Sequence, residues 1–277
     1  MRLLKQLVAV AVVAFAGSAA VGAVQGNAVL TLVLGVATAA LAVFVYARVV
    51  RWSERRAPVE VAAKGAAPSI GRGMLIGVGM FAAVIVNIAF LGYYRVDGLG
   101  SVAGAAGLFG FMAAAAVTEE LIFRGILFRI IEERTGTWLA LVLTGVLFGL
   151  SHLFNPHASL WGAIAIAIEA GGMLAAAYAA TRTLWLPIGL HFGWNFAAAG
   201  IFSTEVSGNG TAQGLLNAVT SGPALLTGGE FGPEASPYAV LFGALLTIAF
   251  MWLARRRGNL VPLRRGSRAA ATAGLAR

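Results

Sequence analysis

The chain has no cysteine among its 277 residues. That absence removes disulfides, thiolate nucleophiles and cysteine metal sites together, so any metal would have to be held by His, Glu or Asn. Charge is scarce as well: 11% of residues are Asp, Glu, Lys or Arg, and only three are histidine. Soluble domains carry about 25% charged and about 45 to 50% apolar residues. Here 59% are hydrophobic and the mean hydropathy is +0.85, which excludes a soluble globular domain and describes an integral membrane protein. The chain shows no internal repeat either, which argues against an inverted-repeat transporter.

What is there is a series of apolar runs. A span needs about 20 apolar residues, so this length holds at most about seven to nine helices and one membrane domain. Runs at 3–24, 28–50, 73–93, 102–131, 138–153, 160–180, 184–202 and 238–254 predict an all-α, polytopic membrane helical bundle of about eight transmembrane helices. Turn or charge signals separate them: Gln25-Gly26-Asn27, the polar stretch from Arg51 to Arg72, Asp97-Gly98, Thr135-Gly136 and Asn155-Pro156-His157. Pro187 falls near the start of the seventh run, where a helix tolerates it.

The net charge of +9 does not mark a nucleic-acid binder, because the basic residues sit in short loops and tails rather than on one face with interleaved aromatics. Topology accounts for them. Arg2 and Lys5, the stretch from Arg48 to Arg72, Arg129 and Arg134, Arg182 and the Arg255-Arg256-Arg257 tail all fall on one side, with Arg95 alone in a loop of the other. The positive-inside rule makes the first side, and both termini, cytoplasmic. The segment between Phe202 and Pro237, with three Glu and no Lys or Arg, falls opposite. The chain thus divides into an N-terminal transmembrane hairpin (1–50), a cytoplasmic linker (51–72), a core (73–254) and a basic tail (255–277) whose composition predicts disorder and contact with anionic headgroups. The first run also has the form of a signal peptide, but a second hydrophobic hairpin partner follows at once, so an uncleaved helix is the favoured reading.

Ionisable groups inside lipid cost roughly 2.5 to 3.5 kcal/mol each on insertion scales, so those that persist mark a working site. They fall in three places: Glu119-Glu120-Leu121-Ile122-Phe123-Arg124, Phe148-Gly149-Leu150-Ser151-His152 and His191-Phe192-Gly193-Trp194-Asn195. On a helix Glu120 and Arg124 share a face and can pair, whereas Glu119 points about 100° away from Glu120 and about 140° from Arg124, free to act as a base. Glu119 precedes the turn at Thr135-Gly136 by about sixteen residues and His152 follows it by as many, so both sit at a similar depth and can share one water. His191 and Asn195, four apart, can complete a metal site or donate to an oxyanion. The blander readings are a helix tie for Glu120 with Arg124 and interhelical hydrogen bonding for each histidine. For Glu169 a packing or hydrogen-bonding role is favoured, for His157 a solvated loop, and for Ser151 helix packing.

Glu119-Glu120-x-x-x-Arg124, Phe148-x-x-x-His152 and His191-x-x-x-Asn195, in this order on three hydrophobic helices, resemble the motifs of the CAAX prenyl protease type II family, also called CPBP or Abi. The resemblance covers residues 102–199 and implies an eight-helix intramembrane endopeptidase with a conical cavity, its protease core over 73–254. Carried over, it implies Glu119 as general base, His152 as its partner in binding water, His191 with Asn195 as oxyanion stabilisers, and Glu120 with Arg124 in support. Its cofactor is open: none strictly required, or a divalent metal such as zinc held by Glu119, His152 and His191. The implied partners are a membrane-associated peptide or protein and the lipid bilayer, with no nucleic acid. The Ala-, Gly- and Arg-rich composition points to a bacterial cytoplasmic membrane, where prenylated substrates are not expected. Two other readings remain at this stage, a non-catalytic immunity or scaffold protein and a proton-coupled transporter.

Overall fold

The computed structural model describes residues 1–210 and 213–263. The last fourteen residues of the predicted tail therefore lie outside the described residues. The chain is an all-α membrane bundle with almost no sheet. Among the described residues six helices are long and apolar enough to cross a bilayer, and one of these, Val102–Phe154, runs for 53 residues. That helix is broken at Gly136, whose φ of 78° and ψ of 167° are non-helical, so it holds two of the eight predicted rods. The rod over 185–201 is apolar but falls short of a full span.

We number the helices α1 Arg2–Gly22, α2 Ala28–Glu54, α3 Ala66–Phe90, α4 Val102–Glu120, α5 Arg129–Ser151, α6 Leu160–Ile166, α7 Met173–Thr181, α8 Trp185–Asn195, α9 Ala224–Thr227 and α10 Pro237–Arg256. Their starts are written locally. The side chains of Asn27, Ser101, Ser159 and Ser236 accept hydrogen bonds from the exposed N–H groups of α2, α4, α6 and α10. Pro187 lies in the first turn of α8, where its missing N–H costs little. Helices α2 and α3 extend beyond their apolar runs, to Glu54 and from Ala66, through turns that carry Arg51, Glu54 and Arg72, whose long polar side chains can reach the headgroup region.

Packing is close because small residues face each other. On α3 Gly73 and Gly77, and on α8 Gly189 and Gly193, lie four apart, the spacing that lets two backbones touch. A Cβ added at Gly77 would stand 2.3 Å from the Leu190 carbonyl oxygen, and one at Gly193 would stand 2.5 Å from that of Met74. Gly35 of α2 meets Gly110 of α4 in the same way.

Two features were not expected. The loop read as a turn at Asp97-Gly98 is part of strand β1, Tyr94–Leu99, paired antiparallel with β2, Leu216–Thr220, through an irregularity between Val96 and Gly98. The segment after residue 202 is anchored at both ends and exposed between them: Ser203, Val206, Ser207, Phe231 and Glu234 are buried, and the Trp161 indole donates to the Ala235 carbonyl. The reason is local composition. Glycines at positive φ (208, 228, 229, 232) let the chain fold back among the helix ends.

Candidate functional site

The three polar motifs lie where regular helix gives way. Wide π-helical turns occupy Leu121–Phe128, directly after Glu120, and Phe196–Ile201, directly after Asn195, while a third, Ala167–Gly172, contains Glu169. His152 ends α5 and opens a short 3-10 turn, His152–Phe154. Such interruptions re-aim side chains and release backbone carbonyls, and they are frequent at functional sites. Tyr46 of α2 uses one, donating to the Gly125 carbonyl.

Glu120 is fully buried and accepts from both Arg124 Nη1 at 2.7 Å and His191 Nδ1 at 2.9 Å. Arg124 also donates to the carbonyls of Ala170 and Gly171, tying α4 to the π turn before α7. Its guanidinium lies 4.6 Å from the centroid of Phe148, whose ring also meets His152 at 4.8 Å and His191 at 6.0 Å. Phe148 is thus the common wall of three polar groups. With Nδ1 of His191 donating to Glu120, its Nε2 faces Glu119 Oε2 at 3.9 Å. That tautomer is assigned from the hydrogen-bond network.

Glu119 differs from Glu120 in exposure, with 34% of its side chain accessible. It lines a cavity of about 890 Å³ together with His152 and Asn195. His152 Nδ1 is 2.7 Å from the Phe148 carbonyl, so it donates there and leaves Nε2 as an acceptor. His191 is not on that cavity. It lines a chamber of about 10 Å³ behind it, with His152, Asn195, Glu169 and Glu234, large enough for about one water.

The six motif residues are therefore adjacent but divided: Glu119, His152 and Asn195 on the open side, His191, Glu120 and Arg124 behind. The pairing that spacing alone does not show is Glu120 with His191, 71 residues apart. Ser151 lines the cavity and donates to the Phe148 carbonyl, and His157 is exposed. Glu169 is fully buried and neither of its oxygens has a hydrogen-bond partner. Its backbone packs against Gly243 of α10, so the packing part of its expected role is present and the hydrogen bond is not.

The metal set does not fit. Zinc ligands stand about 2.0 to 2.2 Å from the ion. Among the described residues no three His, Asp or Glu side chains converge as a metal site. His191 Nε2 does face Glu119 Oε2 at 3.9 Å, but His152 does not join them in such a group.

Sequence reasoning missed Glu234, which lies in a stretch with no helical period. It is 2% exposed and accepts from the Trp194 indole at 2.8 Å, the Ser207 N–H at 2.5 Å and the Ser207 hydroxyl at 2.8 Å. Burial raises its carboxyl above the ordinary value, against those hydrogen bonds. It pins the segment after residue 202 to α8 beside Asn195.

Residues 101–197 match the family described as Type II CAAX prenyl endopeptidase Rce1-like. The chain is also similar to the Bacillus subtilis (strain 168) protein named "Putative membrane peptidase YdiL", 34% identical over 79 residues, which cover 28% of this chain and 30% of that protein. The chain thus spans under a third of the length of this curated relative. No solved structure matches it.

Proposed function

We propose that this integral membrane protein, whose residues 101–197 match the Rce1-like family of type II CAAX prenyl endopeptidases, is an intramembrane endopeptidase. It hydrolyses a peptide bond of a membrane-associated polypeptide. The single observation that carries this is Glu119 on the wall of a large cavity, beside His152 and Asn195, with a second carboxylate, Glu120, holding His191 behind it. In a scaffold protein these side chains would have no reason to gather at one cavity.

The reaction follows from which groups accept and which donate. Glu119 and the Nε2 of His152 are both acceptors, so together they hold a water by its hydrogens and leave its oxygen lone pair for the substrate carbonyl carbon. As the C–O bond forms, the proton passes to Glu119. The amide of Asn195 donates to the oxyanion, and His191, its Nδ1–H anchored on Glu120, adds a donor from the rear when it is protonated at Nε2 as well. Collapse of the tetrahedral intermediate breaks the C–N bond, and Glu119 returns its proton to the leaving amine. No step is routed through a metal, since the donor set does not converge on one.

We place the protein in a bacterial cytoplasmic membrane with both termini cytoplasmic, on the side of the basic loops. Its substrate is a membrane-anchored peptide, with no feature of the cavity requiring a prenyl group. Comparison of membrane proteomes from cells with wild-type protein and with Glu119→Gln tests the reading. One or a few full-length precursors should accumulate in the variant, and His152→Ala should accumulate the same ones. Identical proteomes from folded variants would overturn it.

A further inference from the structure

The cavity is one-sided. Along α4 its lining runs from Glu119 back toward the N-terminus, through Ala115, Gly107, Gly104 and Ser101, while only Ile122 and Phe123 lie beyond Glu119 in the other direction. The neighbouring elements agree: Ser18 and Gln25 come from the end of α1, Ala28 and Thr31 from the start of α2, and Ser207, Asn209 and Gln213 from the segment after residue 202. All of these belong to the end of the bundle that carries β1 and β2. Exposed Gln25, Asn209 and Gln213 form its rim.

The opposite end is closed. Glu120, Arg124 and Phe148 are buried beneath Glu119. Further on, Arg129 donates to Glu54 and Gln6, and Arg56 to Glu54 and Glu60, knitting α1, α2 and the start of α5 together. That closed end also carries the basic residues Arg2, Arg55, Arg182 and Arg255, whereas Arg95 is the sole Lys or Arg in the described loops of the open end. Membrane proteins keep their basic loops in the cytoplasm.

From the two asymmetries together we infer that Glu119 is reached from the non-cytoplasmic side, so that the substrate is a membrane-anchored polypeptide whose cleaved segment lies at the outer face of the membrane. The naming of a substrate rests on the peptidase reading; the route of access does not. The lining also describes the segment that enters. Apart from Glu119 and His152 it offers no ionisable side chain, and on α4 the small residues Gly104, Gly107, Ala114 and Ala115 alternate with Leu108, Phe111 and Met112, so it admits an uncharged stretch of chain.

The absence of cysteine makes the route directly measurable. Single Asn209→Cys, Ala115→Cys and Lys64→Cys variants of the full chain are exposed in intact cells to a sulfonated, membrane-impermeant maleimide, then again after permeabilisation. Asn209 sits on the rim, Ala115 on the cavity wall one turn before Glu119, and Lys64 in the loop before α3. Asn209→Cys and Ala115→Cys should label in intact cells as fully as in permeabilised ones, and Lys64→Cys should fall to background until permeabilisation. If Ala115→Cys fails to accumulate, Ser18→Cys reads the opposite wall. Labelling of Lys64→Cys but not Asn209→Cys in intact cells overturns the orientation, and a labelled rim with an unlabelled wall overturns the access. Either result alongside a precursor that accumulates with Glu119→Gln sinks only this inference. The expected labelling with no such precursor sinks only the peptidase reading.

Discussion

Arg124 is fully desolvated and answers one buried carboxylate, two carbonyls and one aromatic face. Removing it leaves Glu120 charged without its main partner, and breaking a buried pair in this way costs roughly 3 to 5 kcal/mol. Arg124→Met should therefore lower the thermal midpoint in detergent sharply, and adding Glu120→Gln should recover part of the loss, because the uncompensated charge goes with it. If the double variant is no more stable than the single one, the charge pair is not what Arg124 satisfies. The Glu120–Arg124 contact was legible in the sequence, since a four-residue spacing on a helix creates it. The Glu120–His191 bond was not, because nothing in the spacing of one helix reports what a partner 71 residues away will face.

At the scale of elements, α8 carries His191 and Asn195, and its position depends on a glycine contact with α3. A side chain at Gly77 would drive into the Leu190 and Trp194 backbone. Overpacking typically costs about 1 to 3 kcal/mol. Gly77→Val should lower the thermal midpoint and also raise precursor accumulation, since the strain displaces the helix next to His191. Gly79→Val, on the same helix with nothing within 4 Å of its added Cβ, should change neither. Equal effects from both would remove the close approach as the cause. Helix number and most boundaries could be read from apolar runs, whose length alone decides a span. The π turns after Glu120 and Asn195 could not, because an extra residue in a turn leaves no mark on composition. They arise from packing, and they make angles drawn on a regular helix approximate.

At the scale of the whole molecule, the closed end is held by a carboxylate in what reads as a polar linker. Glu60 is 2% exposed and accepts from Arg56 and from the Tyr46 hydroxyl. Burial pushes its carboxyl upward, but the Arg56 guanidinium and Tyr46 overcome that and hold it below the ordinary value of 4.5. A depressed carboxyl contributes stability that is present above its unfolded value and lost as pH falls through its folded one. Wild-type protein should therefore exceed Glu60→Gln in thermal midpoint at neutral pH, and the gap should close only on acidification below about 4.5. A gap unchanged between pH 7 and pH 3 would show that Glu60 acts by shape rather than charge.

By itself the amino-acid sequence determined the class of molecule, because hydropathy and run length obey the bilayer's thickness whatever the helices later touch. It also singled out the few polar residues worth attention, because lipid makes each of them costly. Which of those residues share a cavity, which lie behind it, and that the cavity's lining runs from Glu119 toward the β1–β2 end were decided by tertiary packing alone. Glu119 and Glu120 are neighbours in the chain and equal in chemistry. One faces the cavity and the other is sealed between Arg124 and His191, because only the assembled helices distinguish a wall from an interior.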